Sequence, residues 1–374
     1  MLSVKRFIKY LSYKPKRMET LFNVYQFEKE ASQKLSKNIF DFFAGGAGEE
    51  LSLRENSAVF DRLKLIPRML KGIDSFNLST KILGQNVSFP VLIAPMAFQR
   101  LVHKQGEMAV ARAASQHGIN MTVSTLSTSG LKDIKDVSSI PPWLQLYIYT
   151  DREITKNLIN QASNLGYGAI VLTVDTPFYA QRLRELKNPI SLSSSLIINL
   201  VEAGLKLNNV DPSSLPKYLS SLICSNITWK DIEWLRSVTS LPILLKGLLH
   251  PDDIRIAVEH DINGIILSNH GGRQLDTAIT ALESLQMVKE DLKAKTEFIV
   301  DGGIRKGTDI LKALALGAKG VMIGRPIIWG LAVAGEGGVS KVIHILKEEL
   351  SMSMALSGFN SIDQINKDII FKQR

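Results

Sequence analysis

The sequence predicts an α/β fold: a closed (β/α)8, or TIM, barrel with an N-terminal helical segment before it and a long loop after its fourth strand. Two observations predict it. From about residue 90 onward, short apolar runs rich in β-branched residues alternate with longer stretches of helical periodicity, the pattern of successive βαβ units around a parallel sheet. Eight such runs can be counted, the number that closes a barrel. A length of 374 residues, with 45% hydrophobic and 22% charged, suits one globular domain, because barrels of roughly 250 residues accept insertions.

Taken in order, residues 1–20 form a basic extension and residues 21–374 one barrel domain. Residues 23–73 read as helices followed by an irregular lead-in, with no linker separating them from the barrel. The predicted strands are residues 91–95, 120–124, 143–149, 169–175, 242–247, 264–268, 298–302 and 320–324. Between the fourth and fifth, residues 188–228 are rich in Ser, Leu and Asn and read as a lid-like insertion over the barrel mouth.

Formal net charge is +9, and Lys5, Arg6, Lys9, Lys14, Lys16 and Arg17 against Glu19 place more than half of that excess in the extension. Val4, Phe7, Ile8 and Leu11 have helical spacing there, which would also suit a membrane surface or a targeting peptide. A solvated, partly disordered extension is the preferred reading. Nucleic acid is not an expected partner, since the basic excess is terminal and no aromatic residues interleave with it. The single cysteine, Cys224, forms no internal disulfide, and no Cys/His cluster has metal-site spacing. A cytoplasmic, metal-independent protein is expected, and no apolar run approaches the ~20 residues that cross a bilayer.

In a parallel barrel the C-terminal ends of the strands converge on one face. The predicted strands end in polar residues: Gln145 and Tyr147 on the third, Thr173 and Asp175 on the fourth, Lys246 on the fifth, Ser268, Asn269 and His270 on the sixth. A buried strand has little other reason to finish that way. His270 precedes Gly271 and Gly272, which let a ligand approach closely, and Arg273, which suits a carboxylate. After the seventh and eighth strands come Asp301-Gly302-Gly303-Ile304-Arg305 and Ile323-Gly324-Arg325, in the two loops that often hold a phosphate. Ala44-Gly45-Gly46-Ala47-Gly48 is no dinucleotide motif, because no strand precedes it and the glycine spacing is wrong.

Ser268-Asn269-His270-Gly271-Gly272-Arg273-Gln274-Leu275-Asp276, Leu245-Lys246-Gly247, Leu172-Thr173-Val174-Asp175-Thr176-Pro177 and the Asp301 segment together resemble the FMN-dependent 2-hydroxy-acid oxidases and dehydrogenases, which include glycolate oxidase and L-lactate oxidase. The resemblance runs over residues 23–361. It implies FMN as cofactor and oxidation of a small L-2-hydroxy acid to the 2-oxo acid, with O2 reoxidising the flavin to give H2O2. It implies His270 as the base, with Asp175 holding its ring and raising its pKa. Arg182 and Arg273 would clamp the substrate carboxylate, and Tyr147 would meet the hydroxyl. Lys246 would lie at the flavin edge where negative charge collects. Ala97, Ser124, Gln145, Thr173 and Ser268 match positions at the ring, Asp301 one at the ribityl chain, and Gly303, Arg305, Gly324 and Arg325 the phosphate site. A homotetramer is the family tendency. The alternative within the family is a membrane-associated dehydrogenase that passes electrons to a quinone.

Departures bear on the substrate. Phe42 stands where the family usually has a tyrosine that contacts the substrate carboxylate. Met96 and Leu126 stand where plant glycolate oxidases carry threonine and tryptophan, which favours an L-lactate-like substrate over glycolate. Ala97 in place of glycine favours the oxidase over the monooxygenase branch.

Overall fold

Alternation along eight strands builds the architecture. In the computed structural model, which describes residues 17–207 and 210–371, these are β1 Val91–Ile93, β2 Asn120–Ser124, β3 Trp143–Leu146, β4 Ala169–Thr173, β5 Ile243–Leu248, β6 Gly264–Leu267, β7 Glu297–Asp301 and β8 Gly320–Ile323. They close into a barrel in sequence order, β8 returning to β1, with every neighbouring pair parallel. All eight expected strands are present. β3 and β4 stop at Leu146 and Thr173, earlier than predicted, so that Tyr147 and Asp175 lie beyond the ladder at the mouth. The basic extension up to Lys16 lies outside the described residues.

Successive side chains on a strand point to opposite faces. The buried apolar residues accordingly separate into two clusters. Leu92, Trp143, Ala169, Val171, Leu244, Ile266, Ile299 and Met322 fill the barrel interior, joined from below by Ile82 and Val87 of an antiparallel hairpin, Thr80–Ile82 with Gln85–Val87. Their strand neighbours, such as Val91, Leu144, Ile170, Leu245, Ile265 and Val300, belong to the outer cluster shared with the helices. Two residues beyond Trp143, Val171, Leu244, Ile266 and Ile299 come Gln145, Thr173, Lys246, Ser268 and Asp301. The inward register that packs the core therefore also lays a polar row across its top.

The N-terminal segment forms α1 Val24–Lys34, α2 Lys37–Ala44 and α3 Leu51–Arg62. The Asn23 side chain caps α1 by accepting from the Gln26 N–H at 2.9 Å. On α3, Asn56 exchanges two side-chain hydrogen bonds, 2.8 and 2.9 Å, with Asn269 just past β6. The Asn56 carbonyl presses so closely on Gly303 (φ +82°) that a Cβ there would overlap it. These contacts pack the segment on the barrel mouth.

After β4 comes the short helix α4, Leu183–Lys187, and then the stretch expected to be an extended loop. It is not featureless. It holds a 3-10 turn, Ser194–Leu196, and helices Ile198–Glu202 and Leu215–Ser221. Ile190, Leu192, Ile197, Leu200, Leu205, Leu215 and Leu219 are buried, which fixes what the polar composition hid. Backbone bonds from Thr150 N–H to the Leu222 carbonyl (2.9 Å) and from Cys224 N–H to the Ile148 carbonyl (2.8 Å) tie it to the end of β3. Helices α5 Gly307–Ala315 and α6 Arg325–Ser357 follow β7 and β8, the latter interrupted at Ala334 and Gly335. Among the described residues no helix is long and apolar enough to cross a membrane.

Candidate active site

Because β4 and β6 end on the same face, the residues just past them meet. His270 Nδ1 lies 2.8 Å from Asp175 Oδ1. His270 is held in a left-handed conformation, φ +59°, with its N–H donating to Ser268 Oγ at 2.9 Å. Such a strained non-glycine residue persists only where its surroundings enforce it. Room for Asp175 comes from Gly247, at φ +111°, where a Cβ would stand 2.6 Å from the Asp175 side chain. An ionised carboxylate only accepts, so the imidazole donates through Nδ1 and leaves Nε2 as the basic nitrogen.

The electrostatics correct one expectation. Burial pushes the His270 pKa down, and Lys246 and Arg182 add to that; Asp175 opposes them but does not reverse the sign. The ring rests neutral, with its lone pair available. Burial would raise Asp175, but His270 and then Lys246 hold its carboxyl below the usual range.

Across the barrel top the polar row is internally bonded. Lys246 Nζ lies 2.9 Å from Asp301 Oδ2 and 3.0 Å from Ser268 Oγ, and that hydroxyl donates to Asp301 Oδ2 at 2.7 Å. Burial disfavours the ammonium, yet Asp301 and Asp175 outweigh it and raise its pKa. A fixed buried cation is the result. Gln145 Nε2 donates to Thr173 Oγ1 at 3.1 Å, and its Oε1 accepts from Ser124 Oγ at 3.3 Å. Beside this row the Tyr147 hydroxyl is pushed up to about 12 by burial and then by Asp175, so it stays a hydrogen-bond donor.

Two arginines stand over the row. Arg273 Nη1 donates to the carbonyls of Phe42 (2.7 Å) and Gly45 (2.9 Å), and its guanidinium lies 5.4 Å from the centre of the Phe42 ring. Arg182 Nε donates to the Arg273 carbonyl at 3.1 Å, and its guanidinium stacks 4.5 Å from the Tyr179 ring centre. Burial and then Arg182 push Arg273 down to about 10, which still leaves it charged at neutral pH.

Arg325 sits beneath, donating to the carbonyls of Phe43, Gly45 and Gly271, each at 2.9 Å. Burial drives its pKa well down, and repulsion from Arg273 and Arg305 adds to this. Arg305 is lowered by burial as well. Arginines held charged in so poorly solvated a place favour an anion beside them.

Comparisons with known proteins agree with this geometry. The sequence profile of FMN-dependent dehydrogenases matches residues 31–372. The chain belongs to that family, among its 2-hydroxy-acid oxidases. It is 45% identical to human 2-hydroxyacid oxidase 1, covering 94% of this chain and 97% of that one. It is 46% identical to an L-lactate oxidase of Nostoc sp., covering 93% and 97%. The solved structure of a mandelate oxidase superposes with a TM-score of 0.86 at 38% identity, covering 95% of this chain and 99% of that one.

Family membership makes this an FMN-dependent oxidoreductase, and the cavity fits that cofactor. It is partly open to solvent and runs past the polar row, Arg182 and Arg273, and the Gly303 and Gly324 loops. Arg305 and Arg325 would supply the phosphate's counter-charge, and Lys246 a cation at the inner end. Of the expected site residues, Phe42, Ala97, Ser124, Leu126, Gln145, Tyr147, Thr173, Arg182, Lys246, His270, Arg273, Asp301, Gly303, Arg305, Gly324 and Arg325 all line this cavity. Asp175 and Ser268 stand behind it, bonded to His270 and Lys246.

Sequence reading missed Glu185 behind the arginines, and Tyr179, Leu219 and Ile223 in the cavity wall. Glu185 had a signal, since it follows Arg182 by three residues, one helical turn. Leu219 and Ile223 had none, because only the folded insertion brings them to the cavity.

Proposed function

We propose that the protein oxidises a small L-2-hydroxy acid with an apolar side chain, L-lactate-like rather than glycolate, to the 2-oxo acid, and that O2 takes up the electrons as H2O2. One observation carries this reading: the neutral His270, oriented by Asp175 at 2.8 Å, shares one cavity with Arg182 and Arg273. The arginines hold the carboxylate and fix which face of carbon 2 is presented. Tyr147, kept protonated, donates to the substrate hydroxyl.

His270 Nε2 takes up one proton as the carbinol is oxidised. The burial that keeps the ring neutral at rest would oppose this, and the Asp175 carboxylate offsets that cost as the imidazolium forms. FMN, when bound, would take up the two electrons and the second of the two protons that leave the substrate. Gln145, Thr173, Ser268, Ala97 and Ser124 would hold its ring, Asp301 its ribityl chain, and Gly303, Arg305, Gly324 and Arg325 its phosphate. Lys246 would place a fixed positive charge beside the ring, which favours electron uptake.

Side-chain preference follows from the walls. Met96, Leu126, Leu219 and Ile223 give apolar surface that glycolate, lacking a side chain, would leave unfilled. The relatives named L-lactate oxidase and mandelate oxidase support a substrate with such a side chain. The test supplies L-lactate to the FMN-loaded protein with O2, or anaerobically with a soluble quinone. One H2O2 formed per 2-oxo acid supports the proposal; slow reaction with O2 and rapid reaction with the quinone would replace the oxidase by a dehydrogenase.

A further inference from the structure

We infer that Glu185 sets the charge of the arginine clamp, so that the site selects hydroxy acids with one carboxylate over those with two. The inference rests on the reading of Arg182 and Arg273 as the carboxylate clamp. Glu185 Oε1 accepts from Arg182 Nη1 at 3.2 Å and from Arg273 Nη2 at 2.9 Å, bridging the two guanidinium groups. Its other oxygen accepts from the Tyr179 hydroxyl. It does not line the cavity and backs the arginines from behind.

Apart from Arg305 and Arg325, assigned above to the phosphate, the charges beside the clamp leave no free cation among the described residues. Lys246 is paired with Asp301, and Asp175 is bonded to His270. The clamp itself therefore has two cations and one anion, a net single positive charge. One substrate carboxylate neutralises it. A second carboxylate would leave an uncompensated negative charge in a poorly solvated site, and Glu185 would repel it. At 13% exposure the Glu185 side chain is weakly screened, so this repulsion persists at ordinary ionic strength.

The alternative is that Glu185 merely braces the arginines, and the two roles differ in a measurable sign. Glu185→Gln keeps an acceptor oxygen for the arginines but removes the charge. If charge is what matters, anions bind more tightly to the variant, and the logarithm of the gain is about twice as large for a dianion. If bracing is what matters, the variant weakens both alike.

Acetate and oxalate, which carry one and two carboxylates and no oxidisable carbinol, are titrated into the FMN-loaded protein and followed by flavin absorbance. In Glu185→Gln the preference for oxalate over acetate should rise about tenfold or more, equivalent to about 1.4 kcal/mol. Tartronate, a hydroxy acid with two carboxylates, should gain on L-lactate in kcat/KM by a similar factor. Glu185→Asp keeps the charge and should stay within about twofold of wild type in both ratios. An unchanged or lowered oxalate preference in Glu185→Gln, or an equal shift in Glu185→Asp, would overturn the inference. Failure of any hydroxy acid to bleach the wild-type protein would overturn instead the reading of the site on which it rests.

Discussion

Gln145, Thr173, Lys246, Ser268 and Asp301 all come from the ends of barrel strands at one inward register, whereas Phe42, Leu126, Phe178, Tyr179, Leu219 and Ile223 come from helices and connections that cover the mouth. The first group is positioned by the same ladder and packing that hold the core, so its geometry moves little without unfolding the barrel. The second group rests on connections, which tolerate change. On the proposed reading, the floor of this one cavity serves the reaction and the mouth the choice of substrate. His270 joins the two: it is anchored to the floor through Ser268 and to Asp175 past β4, and it shares the cavity with Arg182 and Arg273.

The partition separates the expected effects. His270→Gln should retain FMN, because the residues proposed to hold its phosphate and ring lie elsewhere, but slow anaerobic flavin reduction by L-lactate by about 10²–10⁴-fold, the usual contribution of a general base. In wild type, kcat/KM should fall in acid as His270 gains its proton. Its depressed pKa keeps the neutral form to lower pH, so the midpoint of that limb lies below the ordinary histidine value of about 6.5. The limb should vanish in the variant. Near-normal reduction by His270→Gln would remove the base from its assigned role. A change in the mouth should act more gently. Phe42→Tyr supplies a hydroxyl beside Arg273, and a hydrogen bond to a charged group contributes about 1.5–3 kcal/mol. L-Lactate should bind more tightly in titrations, by about tenfold or more, with the limiting reduction rate little changed; a loss of affinity would show that the added hydroxyl disturbs the packing of this ring on Arg273.

The same partition explains what the sequence made legible. Strand periodicity and polar strand ends located Gln145, Thr173, Lys246, Ser268 and Asp175, because a two-residue register is local information. Lys246 in particular had to find a buried counter-charge, and Asp301 provides it. The His270 pKa ran opposite to expectation because sequence revealed the carboxylate partner but neither the depth of burial nor the nearby cations. In the stretch after α4, serine and asparagine masked an apolar spacing that becomes meaningful only once Leu200, Leu215 and Leu219 have a surface to pack on. The contact of Glu185 with both arginines joins residues 88 apart in sequence at its longer span, beyond the reach of local pattern.

Leu126→Trp tests the partition most directly. The measurement is anaerobic flavin reduction by L-lactate and by the larger L-2-hydroxyisocaproate in wild type and variant. An indole at the cavity wall should take up side-chain space, lowering reduction by the larger acid about tenfold or more while L-lactate stays within a few-fold. Equal loss of both acids, or an unmoved ratio, would contradict the division of labour between floor and mouth.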